Sequence, residues 1–123
     1  MYHYFKNFSF SIILISILAV GVKAAGKPKV ETATIQTSAI CEECKNRIEK
    51  ALVSTKGIES ANLNLNNKKV KVKYEADKIS VEQIRTVIAN TGYDADDVKH
   101  NPEAFNSLPK CCQKADGTCG KGK

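Results

Sequence analysis

The chain has 123 residues, a formal net charge of +6 and five cysteines. A chain of this length holds one domain with short appendages, but not two full hydrophobic cores. Its lysines and arginines do not form a basic patch interleaved with aromatic side chains, so nucleic-acid binding is not expected. The sequence shows no Ser/His/Asp set or phosphate loop, so an enzyme is not expected either.

The first 24 residues are typical of a secretory signal peptide. Lys6 precedes a mostly apolar run of 15 residues, Phe8 to Val22, and Val22-Lys23-Ala24 fits a cleavage site. The run is shorter than the roughly 20 residues of a permanent transmembrane helix. We therefore expect cleavage near Ala24, a periplasmic or otherwise exported location, and no stable membrane insertion afterwards. An uncleaved membrane anchor is the alternative.

A linker, residues 25–29, leads into alternating strand and helix patterns. Val30–Thr37 is rich in β-branched residues and alternates, which predicts a strand. Glu42–Lys56 carries an apolar stripe at helical spacing, and Gly57 follows it where a C-terminal cap is expected.

The second half of the domain begins with a predicted hairpin. Ile58–Leu65 and Lys69–Tyr74 both alternate, and "NNK" joins them. A second helix follows, with Ser80 as its N-cap and Gly92 at its end. Asp94–Val98 is the predicted closing strand.

The resulting order predicts an α+β fold, a ferredoxin-like βαββαβ sandwich. Its sheet is antiparallel, and its two helices lie on one face. This domain covers residues 30–98. Residues 99–123 form a C-terminal extension, in which Asn101 and Pro102 begin a short helix that Pro109 ends, before a cysteine-containing tail.

The cysteines form two groups, Cys41 with Cys44, and Cys111 with Cys112 and Cys119. An odd number cannot fully pair within one chain, even in an oxidising compartment. The first group begins a predicted helix, where free N–H groups and the helix dipole favour thiolates. Thiolates are soft ligands that select Cu(I) and also suit zinc or mercury. Two thiolates leave coordination positions open for transfer to a partner.

A strand, a C-x-x-C that opens the first helix, and this element order with Gly92-Tyr93 before the last strand resemble the heavy-metal-associated domain. That family includes copper chaperones, modules of copper-pumping ATPases and the periplasmic mercury-binding protein. The resemblance implies metal ligation by Cys41 and Cys44. It also places Tyr93 beside the site, although a core aromatic is an equal alternative. Ala39 replaces the family's usual buried methionine.

The extension raises the question of where its thiols lie. The chain from Val98 to Cys111 spans at most ~45 Å, enough to return to the C-x-x-C. We hypothesise that Cys111 and Cys112 approach the C-x-x-C; a flexible metal-scavenging tail or a tail disulfide is the alternative. Cys119 is expected to be a mobile accessory thiol, and His100 a solvated surface residue.

The expected function is non-enzymatic capture of a soft metal ion for transfer or sequestration. Cu(I) is the expected ion, while Hg(II), Zn(II) and Cd(II) also accept thiolates. A metal-transporting membrane protein is an expected partner. The alternative is a periplasmic thiol–disulfide redox protein that uses the same two cysteines, and a purely structural module with two disulfides is a third reading.

Overall fold

The computed structural model describes residues 26–113, so the predicted signal peptide and Cys119 lie outside the described residues. The elements in chain order are β1 (Val30–Gln36), α1 (Glu42–Val53), β2 (Ile58–Asn64), β3 (Lys69–Glu75), α2 (Val81–Thr91), α3 (Pro102–Asn106) and α4 (Lys110–Gln113). The strands form one antiparallel sheet in the order β1-β3-β2.

The sheet has one buried face because apolar residues alternate with polar ones along each strand. In β3, Val70 and Val72 are fully buried, and the lysines between and beside them are exposed. Val70 pairs with Ile35 on one side and with Leu63 on the other. These three side chains therefore form a continuous apolar row across the sheet.

Both long helices contribute to the same core. The residues that α1 buries are spaced four apart, at Cys44, Ile48 and Leu52. Ile84 and Ile88 of α2 have the same spacing and belong to the same cluster. A spacing of four places side chains on one face of a helix, so each helix presents an apolar stripe to the sheet. The predicted ferredoxin-like arrangement is confirmed.

Local sequence signals define α2. The Ser80 hydroxyl accepts from the Gln83 N–H at 3.2 Å, and the Gln83 side chain accepts from the Ser80 N–H at 2.9 Å, which completes a capping box. Gly92 ends the helix with a φ of 106°. Both predicted ends of this helix are present.

The end of α1 differs from the prediction. The helix stops at Val53 with Ser54 as its C-cap, rather than at Lys56. The hydroxyls of Ser54 and Thr55 bond to backbone carbonyls one turn earlier, at 2.7 and 2.8 Å. Such bonds slightly destabilise and bend a helix. Gly57, the predicted cap, instead turns the chain into β2 with a φ of 93°.

The predicted closing strand, Asp94–Val98, is wrong as a strand. Within residues 26–113, Ala95 makes only isolated bridges, to Thr37 and Val98. Asp96 turns the chain with a φ of 52°. Its carboxylate accepts from the Gln36 N–H at 2.9 Å, and its own N–H donates to the Gln36 carbonyl. A side-chain hydrogen bond thus replaces the ladder that a fourth strand would make.

Residues 99–113, called the C-terminal arm below, follow this turn. Asn101 caps α3 by accepting from the N–H groups of the first turn, and Pro102 occupies the first helical position, as predicted. The Asn101 N–H donates to the Ala89 carbonyl of α2 at 2.9 Å. Pro109 separates α3 from α4. Within residues 26–113 no helix is both long and apolar enough to cross a bilayer.

Candidate metal centre

The C-x-x-C lies where β1 passes into α1, and residues 37–41 between these elements are called the metal loop below. Cys41 occupies the N-cap position with extended backbone angles, φ −152° and ψ 170°. Cys44 lies in the first turn, and the separation of three residues brings both sulfurs to one side of the helix. Their Sγ atoms are 3.1 Å apart. Both side chains are buried, so the pair faces the protein rather than bulk water.

The C-terminal arm brings two more thiols to this place. The Sγ of Cys112 lies 3.9 Å from the Sγ of Cys41, and the Sγ of Cys111 lies 4.0 Å from that of Cys112. The sulfurs of Cys41, Cys111 and Cys112 are all within 4.8 Å of one another. The structure therefore assembles all four cysteines of residues 26–113 into one group, called the thiol cluster below.

Packing of the arm against α2 places α4. Leu108 is 7 % exposed and belongs to the core. It lies so close to Gly92 that a Cβ there would be 3.0 Å from the Leu108 Cδ1. The Cys112 N–H then donates to the Pro109 carbonyl at 2.8 Å, and the Gln113 side chain donates to the Leu108 carbonyl at 2.7 Å. These contacts fix the direction of the four-residue α4.

Tyr93 lies against the thiol cluster. It is 1 % exposed, and its hydroxyl has no nitrogen or oxygen partner among the described residues. Its polar neighbours are the thiols of Cys44 and Cys112, and burial, followed by the contact with Cys44, raises the pKa of Tyr93 far above its usual value. The hydroxyl therefore stays protonated beside these thiols.

Burial also acts on the Cys112 thiol. Burial, together with the neighbouring Cys44 thiol, raises the pKa of Cys112 to about 12, although the Tyr93 hydroxyl opposes this shift. Cys112 is therefore a neutral thiol at neutral pH. A soft cation would displace its proton, because metal binding requires the deprotonated sulfur.

Glu42 and Glu43 are the two residues between the cysteines of the C-x-x-C. Both are exposed in the first turn of α1, where the helix dipole favours carboxylates. Neither joins the groups of side chains that could hold a metal ion among the described residues.

A hydrogen-bonded chain that the sequence did not predict supports the metal loop. The Asp94 N–H donates to the Ser38 hydroxyl at 2.9 Å. The Asp94 carboxylate in turn accepts from the His100 N–H at 3.0 Å and contacts its Nδ1 at 2.7 Å. The His100 ring packs on Phe105 with centroids 4.4 Å apart. His100, predicted to be a solvated surface residue, is half-buried and held by Asp94 and Phe105.

Only weak sequence signals mark this chain of contacts. Three aspartates, Asp94, Asp96 and Asp97, follow Tyr93. No sequence pattern indicates which of them contacts His100. The tertiary fold determines which aspartate contacts His100, because Asp94 is the one that bonds to the metal loop at Ser38.

A pocket of about 300 Å³ lies between the metal loop and the arm. Its wall includes Ser38 and Ile40 from the loop, His100 and Phe105 from the arm, and Cys112. The pocket therefore extends from the surface to Cys112 along the boundary between these two segments.

Comparison with known proteins bears on the identity of the domain. Residues 29–94 match the heavy-metal-associated domain family. The copper chaperone CopZ of Staphylococcus haemolyticus is 39% identical over 54 residues, which are 44% of this chain and 79% of that protein.

Two solved structures have a similar fold. The Cu(I)-loaded N-terminal domain of a potential copper-translocating P-type ATPase from Bacillus subtilis is 29% identical, with a TM-score of 0.52 over 55% of this chain and 86% of that one. Oxidized MerP from Ralstonia metallidurans CH34 is 20% identical, with a TM-score of 0.53 over 55% and 96%. At that identity the likeness to MerP concerns the fold alone. More than half of this chain matches the family, and the chain belongs to the heavy-metal-associated domain family.

Proposed function

We propose that this protein captures Cu(I) through Cys41 and Cys44 and carries or sequesters it in an exported compartment. The observation that carries the proposal is the pair of buried sulfurs, 3.1 Å apart, at the start of α1. The ion is cargo, and the protein acts on it without catalysis.

The chemistry of the donors favours a soft monovalent ion. Thiolates select Cu(I), and the site offers sulfur without a carboxylate or imidazole in the described thiol cluster. Loss of one proton from each of Cys41 and Cys44 gives the site two negative charges. The partial positive charge at the N-terminus of α1 and one Cu(I) offset most of that charge.

The relatives support copper over the other soft metals. The curated relative is named as a copper chaperone, and the ATPase domain was solved in a Cu(I)-loaded state. Hg(II), Zn(II) and Cd(II) also accept thiolates, and among these soft ions the names of the relatives favour copper. Cu(I) is accordingly the cargo we propose.

Location and partner are parts of the same proposal. The signal-like residues 1–24 support export, with a mature protein that starts near Ala25. Similarity to a domain of a copper-translocating ATPase supports a metal-transporting membrane protein as the donor or the acceptor.

A thiol–disulfide redox role is the competing function. The Cys41–Cys44 pair would suit it, since a helix N-terminus stabilises a thiolate. Family membership instead favours metal binding, because the matched domain contains the C-x-x-C.

The test is direct measurement of metal binding by the reduced mature protein. We expect tight binding of Cu(I), measured by competition with a chromogenic Cu(I) chelator, with weaker binding of Zn(II). Cys41→Ser/Cys44→Ser should abolish this binding. Weak binding that is indifferent to both cysteines would reject the proposal and favour the redox function.

A further inference from the structure

The arm lies outside the part of the chain that matches the family. The match ends at residue 94, whereas Cys111 and Cys112 belong to α4 at Lys110–Gln113. The family domain alone therefore supplies two thiols, and the arm supplies the other two members of the thiol cluster.

The spacing of the sulfurs distinguishes these two pairs. At a metal–sulfur distance of about 2.3 Å, two sulfurs in line lie about 4.6 Å apart, and three in a trigonal plane lie about 4.0 Å apart. The Cys41–Cys112 and Cys111–Cys112 distances are 3.9 and 4.0 Å. The Cys41–Cys44 distance of 3.1 Å is shorter than either value. Two edges of the Cys41–Cys111–Cys112 triangle thus match a trigonal ion and the third is within 4.8 Å, whereas the sulfurs of Cys41 and Cys44 must move apart to bind an ion in line.

The arm is attached to the domain at three separate places. Asn101 bonds to the Ala89 carbonyl, and His100 bonds to Asp94. Leu108 packs over Gly92. The last contact is the one nearest in sequence to α4, so it determines whether Cys112 reaches Cys41.

We propose that the arm supplies metal ligands when it is docked. Cys111 and Cys112 join Cys41 to hold Cu(I) in a three-thiolate site, which retains the ion until the arm undocks. The inference rests on the proposed function, because it assumes that Cu(I) is the cargo. Undocking would restore the two-thiol site of the family domain, from which a partner's thiols can take the ion.

Binding involves ligand exchange and proton loss without redox change. Each thiol that joins releases one proton to solvent as its bond to copper forms, and copper remains Cu(I) throughout. When the arm undocks, the bonds from copper to Cys111 and Cys112 break, and these sulfurs regain protons from water. Cys44 then loses its proton to solvent and bonds to copper beside Cys41.

Enclosure by the arm also changes access. The pocket beside Cys112 is the described opening between the arm and the metal loop, and Ile40 and Phe105 line it. Cys112 is the member of the thiol cluster that lines this pocket. Release of the ion then depends on movement of the arm as well as on the affinity of the C-x-x-C.

The test uses the full mature chain loaded with one equivalent of Cu(I). X-ray absorption gives the number of sulfur neighbours and the mean Cu–S distance, and an excess of chelator gives the release rate. We expect three sulfurs in the wild type. In Cys112→Ser we expect two sulfurs, a shorter Cu–S distance and an affinity lower by at least about 100-fold, because losing a ligand costs at least as much as losing a residue that supports one.

A second variant separates docking from ligand loss. Leu108→Asp keeps every cysteine but places a charge in the contact with Gly92, so it should also give two sulfurs and faster release. Val53→Asp is the matched control, because Val53 is an apolar residue that is already 51% exposed on α1. Circular dichroism checks that each variant is folded, and Leu108→Ala replaces Leu108→Asp if the charge unfolds the chain.

The outcomes separate the two proposals. One outcome is a two-sulfur site in the wild type that is unchanged in Cys112→Ser but lost in Cys41→Ser/Cys44→Ser. That result would overturn the proposal that the arm donates ligands, and it would leave the proposed function intact. If a folded Leu108 variant retained three sulfur neighbours, the proposal that the Leu108–Gly92 contact docks the arm would be overturned. Failure of the wild type to bind Cu(I) tightly would remove the proposed function, and the inference with it.

Discussion

Asp94 binds His100 through both the backbone and the ring of the histidine, and this contact joins the end of α2 to the start of the arm. Partial burial of Asp94 opposes its ionisation. Hydrogen bonds from the His100 backbone and side chain outweigh burial and hold the pKa of Asp94 below its usual value of 3.8.

This shift predicts acid sensitivity. Because the folded-state pKa is lower than the unfolded-state pKa, the ionised Asp94 stabilises the fold above about pH 4, and this contribution is lost as pH falls through the folded pKa. In urea unfolding of the reduced, metal-free protein, Asp94→Asn should be less stable than the wild type at neutral pH. The difference should shrink as the solution is acidified.

Asp97→Asn is the control for that experiment, because Asp97 is an exposed aspartate of the same turn. It should follow the wild type across the range. A constant difference between Asp94→Asn and the wild type at every pH would contradict the assignment.

Gly92→Ala should destabilise the protein and loosen the arm. Its φ of 106° disfavours any side chain, and the new Cβ would lie 3.0 Å from Leu108 and 3.1 Å from the Ala104 backbone. We expect a loss of roughly 1–3 kcal/mol in the free energy of unfolding, measured with urea. Gly26→Ala has open space around its Cβ and should change little. Equal stability of the two variants would argue against the close contact.

Ser80→Ala should weaken α2. It removes the capping box, so we expect a cost of about 1 kcal/mol. The comparison is Ser60→Ala on the exposed face of β2. Chemical denaturation of both variants measures the difference, and a loss confined to Ser60→Ala would contradict the role of the cap.

Tyr93→Phe should separate metal binding from folding. The lost hydroxyl has no nitrogen or oxygen partner among residues 26–113, so stability without metal should change little. Cu(I) affinity should fall by about tenfold, because a donor to the bound sulfurs is removed. Tyr74→Phe is the matched control, since its hydroxyl bonds to Glu31 rather than to a thiol. An unchanged affinity in Tyr93→Phe would exclude the donor role.

The parts of the fold that could be predicted from sequence are those with local causes. The capping box at Ser80, the left-handed Gly92 and the C-x-x-C at the start of a helix depend on residues within one turn of each other. The alternation that buries Val70 and Val72 is equally local.

The parts that could not be predicted depend on tertiary contacts. Asp96 bonds to Gln36, sixty residues earlier, and so replaces the expected strand with a turn. The position of Cys112 depends on Leu108 reaching Gly92, and spacing along the chain did not separate that arrangement from a free tail. His100 was predicted as exposed because a lone histidine gives no sign of a partner such as Asp94.

The 3.9 Å approach of Cys41 to Cys112 joins positions 71 residues apart in the chain. An ion bound to both cysteines would act as a reversible cross-link that closes a loop containing most of the domain. In the chain-entropy treatment of cross-links, closing a loop of that size stabilises the fold by about 4 kcal/mol. Metal binding and the stability of the fold are then thermodynamically linked. The copper-loaded protein would therefore resist heat and proteases in conditions where the metal-free protein is degraded.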